Sequence, residues 1–422
     1  METVRPKIIR TYTYGLVVCG LVFFSLVLLI LSDQIYDITT AILFVFCIMF
    51  LQFMLGFYRD LTLPSCLFSV FFMAFILVGF LFENILRGFS PLVFKAVIWS
   101  SLTHTFFAYL FKGVHAKRAR AKVKLDHPSK SFSLVAISIA VVGVLCGLLF
   151  FLKIGHIPLF SNASPEERIS AMQGNGYLLQ PLRSAPIAAI ACVFGTRYFK
   201  SGLVLFFVSN FLFLGTGFRG LFIQNLLYFI LVYCLVNGKP FGYSYLIKSG
   251  LVLVGLIFAL GLIRGDGFLI SSVVFKLLHA FSVSILILEM VLTDFEDFKF
   301  GLTFLYKFTS VLPLPNIEYT QWLTSQLPLK FNGGVTPTLI GDFYINFGNL
   351  YWVSFIPLSW FLALLDKKIV TTTRLTSLLM ISTISMGIAR SATGGLSNTL
   401  FQTFLACVIV YILIAASRVK VH

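Results

Sequence analysis

The chain has 422 residues, of which 58% are hydrophobic and 11% are charged. Its mean hydropathy is +0.95, whereas about 25% of the residues of an ordinary soluble domain are charged. These values exclude a soluble globular domain. The formal net charge is +16, and in a membrane protein its distribution between the two sides indicates the orientation.

Apolar runs near the length of a bilayer crossing predict an all-α polytopic membrane protein with about twelve transmembrane helices. The first run follows Arg10 and has no small-residue cleavage site behind it, which favours a span over a cleaved signal peptide. In chain order the spans are expected at 12–32, 39–57, 63–82, 91–111, 132–152, 182–198, 201–216, 220–236, 246–263, 347–365, 375–389 and 395–416.

The distribution of basic residues orients these helices, with both termini on the cytoplasmic side. The cytoplasmic segments then hold 20 of the 32 Lys and Arg residues and 4 of the 16 acidic residues. The net charge therefore lies on the inner side, as the positive-inside rule predicts. The densest cytoplasmic segment is the basic loop at 112–130, and a topology anchor explains it better than an anionic-lipid site does.

Two outer segments are long enough to carry function within a single transmembrane domain that covers 1–422. The first outer loop is expected at 153–181, and the second at 264–346 with amphipathic helices. Long loops on a rigid helical scaffold are where binding and catalytic residues concentrate.

One apolar segment, Phe268–Leu292, is also long enough to cross the membrane and would reverse the orientation of every later helix. It carries Lys276, His279 and Glu289, and a charge at the bilayer centre costs roughly 2.5–3.5 kcal/mol on insertion scales. We therefore expect this segment to form an interfacial helix on the outer leaflet.

Metal and cofactor motifs are missing from the sequence. The seven cysteines stand singly in apolar stretches, and the six histidines show no metal-ligand spacing. No GxxxxGK[ST] stretch and no cytoplasmic Asp-x-Asp occur, which argues against nucleotide-sugar chemistry. We expect no metal, no cofactor and no nucleic-acid partner.

Arginines at the outer helix ends need an explanation, because the positive-inside rule does not require them. They are Arg168, Arg183, Arg219, Arg264 and Arg390. Three helices that begin on the outer face are preceded by, or open on, one of them: Arg183, Arg219 or Arg390. Free N–H groups and the positive end of the dipole attract anions there, and a guanidinium adds a fork suited to phosphate.

Glycines strengthen the argument for Arg219, which lies between Gly217 and Gly220. Glycine lets an anion approach the backbone closely. The pattern predicts a site for a multiply charged anion at the outer membrane–water boundary. For any single arginine the alternative is snorkelling to lipid headgroups or pairing with a nearby acid.

Polar residues in the stretch NGGVTPTLIGDFYINFG (332–348) are candidates to accompany the arginines. Asp342, Tyr344 and Asn346 would share one side of an extended backbone. An aromatic ring between polar groups can stack on a sugar, and Glu318 in the same loop is a weaker candidate. The alternative is a helix-capping turn with an interfacial tyrosine.

Three stretches resemble the Wzy-type O-antigen polymerases, the family that polymerises oligosaccharide repeat units. They are IPLFSNASPEERISAMQGNGYL in the first outer loop, GTGFRG at a helix start, and GGVTPTLIGDFYINFG before a late helix. Their order and the size of the second outer loop match the family across essentially the whole chain. The family is similar to the O-antigen ligases, which implies a GT-C-like membrane architecture.

The resemblance implies a multi-pass protein of the bacterial inner membrane whose active site faces the periplasm. It implies transfer of a growing glycan from undecaprenyl diphosphate to the terminal sugar of a new lipid-linked repeat unit, without a metal. The partners would be the two lipid-linked oligosaccharides, membrane lipid and a chain-length regulator protein. The leaving diphosphate would be stabilised by Arg168 and Arg219, together with Arg183, Arg264 and Arg390. Asp342 would be the general base. The sugars would be contacted by Tyr344, Asn346 and Glu318.

One departure and three alternatives accompany this resemblance. The family has an Arg-x10-Gly pattern in its outer loops, whereas Arg168 is followed by Gly174 and Gly176. The alternatives are an O-antigen ligase, a non-enzymatic lipid-oligosaccharide flippase or transporter, and an O-acyltransferase. A transporter should carry its polar residues at mid-bilayer in repeated halves, and an acyltransferase needs an activated histidine.

Overall fold

Helices make up all the regular secondary structure in the part of the chain that the computed structural model describes. The described residues are 38–57, 59–88, 90–112, 130–159, 175–216, 219–242, 248, 255, 270–309, 319–329 and 335–418. The helices are α1 (Ile38–Met54), α2 (Pro64–Arg87), α3 (Pro91–Lys112), α4 (Lys130–Ile154), α5 (Gly176–Gly195), α6 (Phe199–Gly215), α7 (Arg219–Val236), α8 (Ile270–Asp294), α9 (Thr303–Thr309), α10 (Tyr319–Gln326), α11 (Leu339–Phe347), α12 (Phe355–Thr371), α13 (Leu375–Gly394) and α14 (Leu396–Arg418).

These helices confirm the all-helical expectation for the described residues. A helix covers most of each predicted span except two: 12–32 lies outside the described residues, and of 246–263 only 248 and 255 are described. Within the described residues, six helical runs are long and apolar enough to cross a membrane: Pro64–Arg87, Lys130–Ile154, Gly176–Gly195, Leu339–Thr371, Leu375–Gly394 and Leu396–Arg418. The chain thus has the features of a helical membrane protein, and the total of twelve spans stays a prediction.

The ends of α2 show how local sequence sets these helices. Pro64 stands at its start, where the missing N–H costs nothing because no intrahelical acceptor exists there. Gly88 ends it with φ +102°, and the Gly88 N–H donates to the Asn84 carbonyl. Between them, Met73–Leu77 winds as a π-helix.

The segment predicted to form the second outer loop, 264–346, contains α8, α9, α10 and all but the last residue of α11 among its described residues, and α8 covers most of the Phe268–Leu292 segment. The helical conformation of that segment is therefore confirmed, whereas its interfacial position stays a prediction. That 264–346 lies outside the cytoplasm also stays a prediction. The structure also begins α5 at Gly176, inside the predicted first outer loop.

The described chain divides into two compact units. Unit 1 takes residues from Met1–Arg120, Val274–Thr371 and Gly387–Phe401, and unit 2 takes residues from Ala121–Val273, Thr372–Met386 and Gln402–His422. Unit 1 contains α1, α2, α3, most of α8 and the helices from α9 to α12. Unit 2 contains α4, α5, α6, α7 and the first four residues of α8, while α13 and α14 contribute residues to both.

Buried polar side chains tie the helices of unit 1 together. The His104 ring on α3 lies between Ser69 on α2 and Ser359 on α12, 3.0 Å from each hydroxyl oxygen. The Asp366 carboxylate on α12 accepts hydrogen bonds from the backbone N–H and the hydroxyl of Ser65, and it thereby satisfies a free N–H group at the start of α2. His104 is completely buried and both of its ring nitrogens have serine partners, so it joins helices in this structure.

Close contact between α4 and α5 organises unit 2. A Cβ atom on Gly143 would lie 2.5 Å from the Pro181 carbonyl oxygen and 2.6 Å from the Ala185 Cβ atom. A Cβ atom on Gly147 would lie 2.9 Å from Leu182. Small residues of this kind let membrane helices pack backbone against backbone.

We expect replacement of Gly143 by valine to destabilise the protein by about 1–3 kcal/mol, because the added carbons must separate two packed backbones. Thermal unfolding of the purified protein in one detergent would measure the change. The control is Gly176→Ala, since a Cβ atom on Gly176 would meet nothing within 4 Å. Equal midpoints for the two variants would contradict the close packing of α4 and α5.

Candidate functional site

The segment that carries three of the predicted site residues is helical, so the expectation of an extended backbone at 342–346 is wrong. The Thr338 hydroxyl accepts from the Gly341 N–H at 3.2 Å and caps the start of α11. The helical period puts Asp342 and Asn346 on one face, four residues apart, and turns Tyr344 away from them.

Asp342 is completely buried and serves as the cap of a distant helix. Its Oδ2 atom accepts from the Ser397 N–H at 2.7 Å, and its Oδ1 atom accepts from the Ser397 hydroxyl at 2.6 Å. Because Ser397 lies in the first turn of α14, the carboxylate satisfies a free N–H group and complements the positive end of the helix dipole.

Gly395 makes this close approach feasible. It has φ +69°, and a Cβ atom there would lie 3.1 Å from both the Cβ and the Oδ2 atoms of Asp342. Its N–H donates to the Ser391 carbonyl at 2.9 Å, which closes the last turn of α13. The carboxylate therefore lies directly against the junction between α13 and α14.

Asn346 begins a chain of hydrogen bonds that ends on the same carboxylate. Its Nδ2 atom donates to the Thr303 hydroxyl at 2.6 Å, and its Oδ1 atom accepts from the Gly301 N–H at 2.9 Å. The Thr303 and Ser397 hydroxyl oxygens are 2.7 Å apart. Since Ser397 donates to Asp342, Thr303 must donate to Ser397, so every bond in the chain points toward the carboxylate.

Tyr319 supplies one more donor. Its hydroxyl donates to the Asp342 Oδ1 atom at 2.8 Å. Burial raises the pKa of the Tyr319 phenol well above its ordinary value, and the nearby Asp342 carboxylate raises it further. Tyr319 therefore stays protonated and keeps donating at any physiological pH.

These five side chains, Thr303, Tyr319, Asp342, Asn346 and Ser397, are called the Asp342 network below. All five are buried and all belong to unit 1. An ionised carboxylate offers about four acceptor positions, and three donors, the Ser397 N–H, the Ser397 hydroxyl and the Tyr319 hydroxyl, occupy three of them. In this arrangement Asp342 and Asn346 face the protein interior rather than solvent.

Tyr344 lies outside the network and is only partly buried. Its ring contacts Phe298 edge to face at a centroid distance of 5.6 Å, and Tyr351 at 6.0 Å. Of the three candidate residues on α11, Tyr344 is thus the one with a partly accessible surface for a sugar ring.

Four of the five predicted arginines differ in whether and where the structure describes them. Arg390 is partly buried on α13, one turn before Gly394, in unit 1. Arg183 is partly buried in unit 2 and lies inside α5, so the expectation that it opens a helix is wrong because α5 begins at Gly176. Arg168 and Arg264 lie outside the described residues, as do Gly217 and Glu318.

Arg219 is the first residue of α7, as the sequence predicts, although its side chain is outside the described part. The next residue, Gly220, is exposed, and a Cβ atom there would meet no atom within 4 Å. Packing therefore does not require glycine at this helix start, and the surface beside Arg219 is open.

Sequence reasoning missed Thr303, Tyr319 and Ser397. Ser397 lies in the stretch ARSATGGLSN, seven residues after Arg390. Its partner Asp342 is 55 residues away, and no local pattern connects the two. Thr303 lies 43 residues from Asn346 and 94 from Ser397, and Tyr319 lies 23 residues from Asp342.

Among the described residues, no three His, Cys, Asp or Glu side chains are grouped so that they could hold a metal ion. Comparison of the chain with protein-family models, with curated proteins and with solved structures found no match.

Proposed function

We propose that the protein is a membrane glycosyltransferase that polymerises lipid-linked oligosaccharide repeat units at the outer face of the bacterial inner membrane. The growing glycan passes from undecaprenyl diphosphate to the terminal sugar of an incoming lipid-linked unit. The product is an O-antigen, a capsule or a related surface polysaccharide, and a chain-length regulator protein is the expected protein partner.

The observation that carries the proposal is the start of α7. Arg219 opens this helix directly after the glycine-rich sequence GTGF, and a Cβ atom on Gly220 would meet no atom within 4 Å. A helix N-terminus with an adjacent guanidinium is suited to phosphate oxygens. A lipid diphosphate fits such a place because its head is a multiply charged anion and its tail is soluble in the bilayer.

The transfer itself needs charge stabilisation more than covalent chemistry. The acceptor hydroxyl oxygen forms a bond to the anomeric carbon as the bond from that carbon to the diphosphate oxygen breaks. Undecaprenyl diphosphate leaves with the electron pair, and the hydroxyl proton passes to water or to the departing phosphate. We propose that Arg219, with Arg168, Arg183 and Arg264, stabilises the negative charge that develops on the diphosphate.

Two lipid diphosphates take part, one on the donor and one on the acceptor, and we propose that Arg390 binds one of them. Tyr344 is proposed to stack on a sugar ring. Activation of the acceptor hydroxyl requires either a base, for which the sequence nominates Asp342, or alignment alone.

The proposal requires the second outer loop to lie outside the cytoplasm, which a reporter fusion can test. We expect alkaline phosphatase fused after Asp294 to be active, because this enzyme needs the oxidising periplasm. A matched fusion after Arg418, at the end of α14, should be inactive. The opposite pattern would place the second outer loop in the cytoplasm and would contradict the proposed function.

A further inference from the structure

We infer that Asp342 is a positioning residue that acts through Arg390, and that it is not the base of the transfer reaction. This inference rests on the proposed function for its catalytic meaning. Its structural basis, the Asp342 network and the junction between α13 and α14, is independent of that function.

The first argument is that Asp342 is completely buried and that three of its about four acceptor positions are occupied. The Ser397 hydroxyl and the Tyr319 hydroxyl both donate to Oδ1, and the Ser397 N–H donates to Oδ2. A base must come within hydrogen-bond reach of the proton that it removes. Here that approach would require a buried carboxylate to release its donors and expose itself.

The second argument is the direction of the hydrogen bonds. Asn346 donates to Thr303, Thr303 to Ser397, and Ser397 to the carboxylate. Asn346 is held in this orientation because its Oδ1 atom accepts from Gly301. Such a chain needs an acceptor at its end, and the Asp342 carboxylate supplies it. A proton taken up by Asp342 would add a donor at a place where the neighbouring groups already donate.

The third argument is that the Asp342 carboxylate contacts the junction between α13 and α14. It caps α14 at Ser397 and lies against Gly395, whose N–H closes α13 on Ser391. Arg390 is the residue just before Ser391, and its carbonyl accepts from the Thr393 hydroxyl at 3.1 Å. A change at Asp342 therefore shifts the last turn of the helix that carries Arg390.

A double-mutant cycle tests the inference with protein reconstituted in liposomes and lipid-linked repeat units extracted from the producing cell. We expect Asp342→Asn to slow polymerisation roughly 100-fold, since a displacement of about 1 Å is enough for that loss. In an Arg390→Lys background, Asp342→Asn should slow polymerisation by less than about 3-fold further, because the two residues act as one unit. If the rate loss of the double variant equals the product of the losses of the two single variants, the inference is overturned.

The pH dependence of the rate separates positioning from base catalysis. In Tyr319→Phe the carboxylate loses one donor, so a base at this position would move the acid limb of the profile to higher pH. A positioning role predicts a lower maximum rate with the acid limb of the profile unchanged.

If Asp342→Asn does not fold, Ser397→Ala takes its place in the double-mutant cycle. This variant breaks the chain of side-chain hydrogen bonds, while the Asp342 carboxylate and its bond from the backbone N–H of residue 397 remain.

Hydrogen–deuterium exchange distinguishes failure of the inference from failure of the proposed function. In the absence of substrate, Asp342→Asn should speed exchange across 388–399, while segments of unit 2 such as α4 stay unchanged. Unchanged exchange across 388–399 would overturn the inference whatever the activity. If exchange rises but the wild-type protein makes no polymer, the proposed function fails and the structural part of the inference stands.

Discussion

Replacement of Arg219 by alanine should abolish long polysaccharide in the producing cell while single repeat units persist. Loss of one group that stabilises developing charge costs roughly 10²–10³ in rate, which is enough to remove the ladder of long chains on a gel. Arg219→Lys should retain part of the activity, because lysine keeps the charge and loses the planar fork.

The matched control is Arg197→Ala, an exposed arginine in unit 2 whose side chain lies over the Tyr198 ring. Its replacement should leave the ladder intact. An unchanged ladder in Arg219→Ala would show that this residue only anchors the helix at the membrane. Loss of the single repeats as well would place the defect upstream, and it would favour the flippase alternative.

Replacement of Asp342 by alanine should be the most destabilising change in unit 1, at about 3–5 kcal/mol. It would leave buried donors from Ser397 and Tyr319 without an acceptor and would uncap α14. Each buried donor that loses its acceptor costs about 1–3 kcal/mol. Thermal unfolding in detergent measures this loss as a lower midpoint.

Asp297→Ala is the control for that experiment. The Asp297 side chain is 77% exposed and pairs with Lys299, and surface ion pairs contribute little to stability. We expect its midpoint to match the wild type. If Asp342→Ala were as stable as Asp297→Ala, the Asp342 network would not hold unit 1 together.

The helices could be predicted from the sequence because apolar length is a local property. Each run needs only its own composition to be recognised, and the start of α7 at Arg219 was predicted for the same reason. Arg183 shows the limit of this approach. Gln180, Pro181 and Arg183 interrupt the apolar run, yet α5 begins at Gly176 and continues through them, so hydropathy alone does not reveal where this helix starts.

The environment of Asp342 could not be predicted because it depends on tertiary contacts. Gly395 has no side chain to cap α14, so the cap comes from a residue 53 positions earlier in the chain. The stretch 342–346 also fitted an extended backbone by its alternation of polar residues. The Thr338 cap turns it into a helix, which buries Asp342 and Asn346 and leaves Tyr344 partly accessible.

The most direct test of the proposed function is transfer by the purified protein. Reconstituted in liposomes with lipid-linked repeat units from the producing cell, the wild-type protein should lengthen glycans and release one undecaprenyl diphosphate for each linkage formed. Arg219→Ala should do neither at a measurable rate, while Arg197→Ala should do both. Absence of polymer with the wild-type protein, or equal release by wild type and Arg219→Ala, would contradict the proposed function.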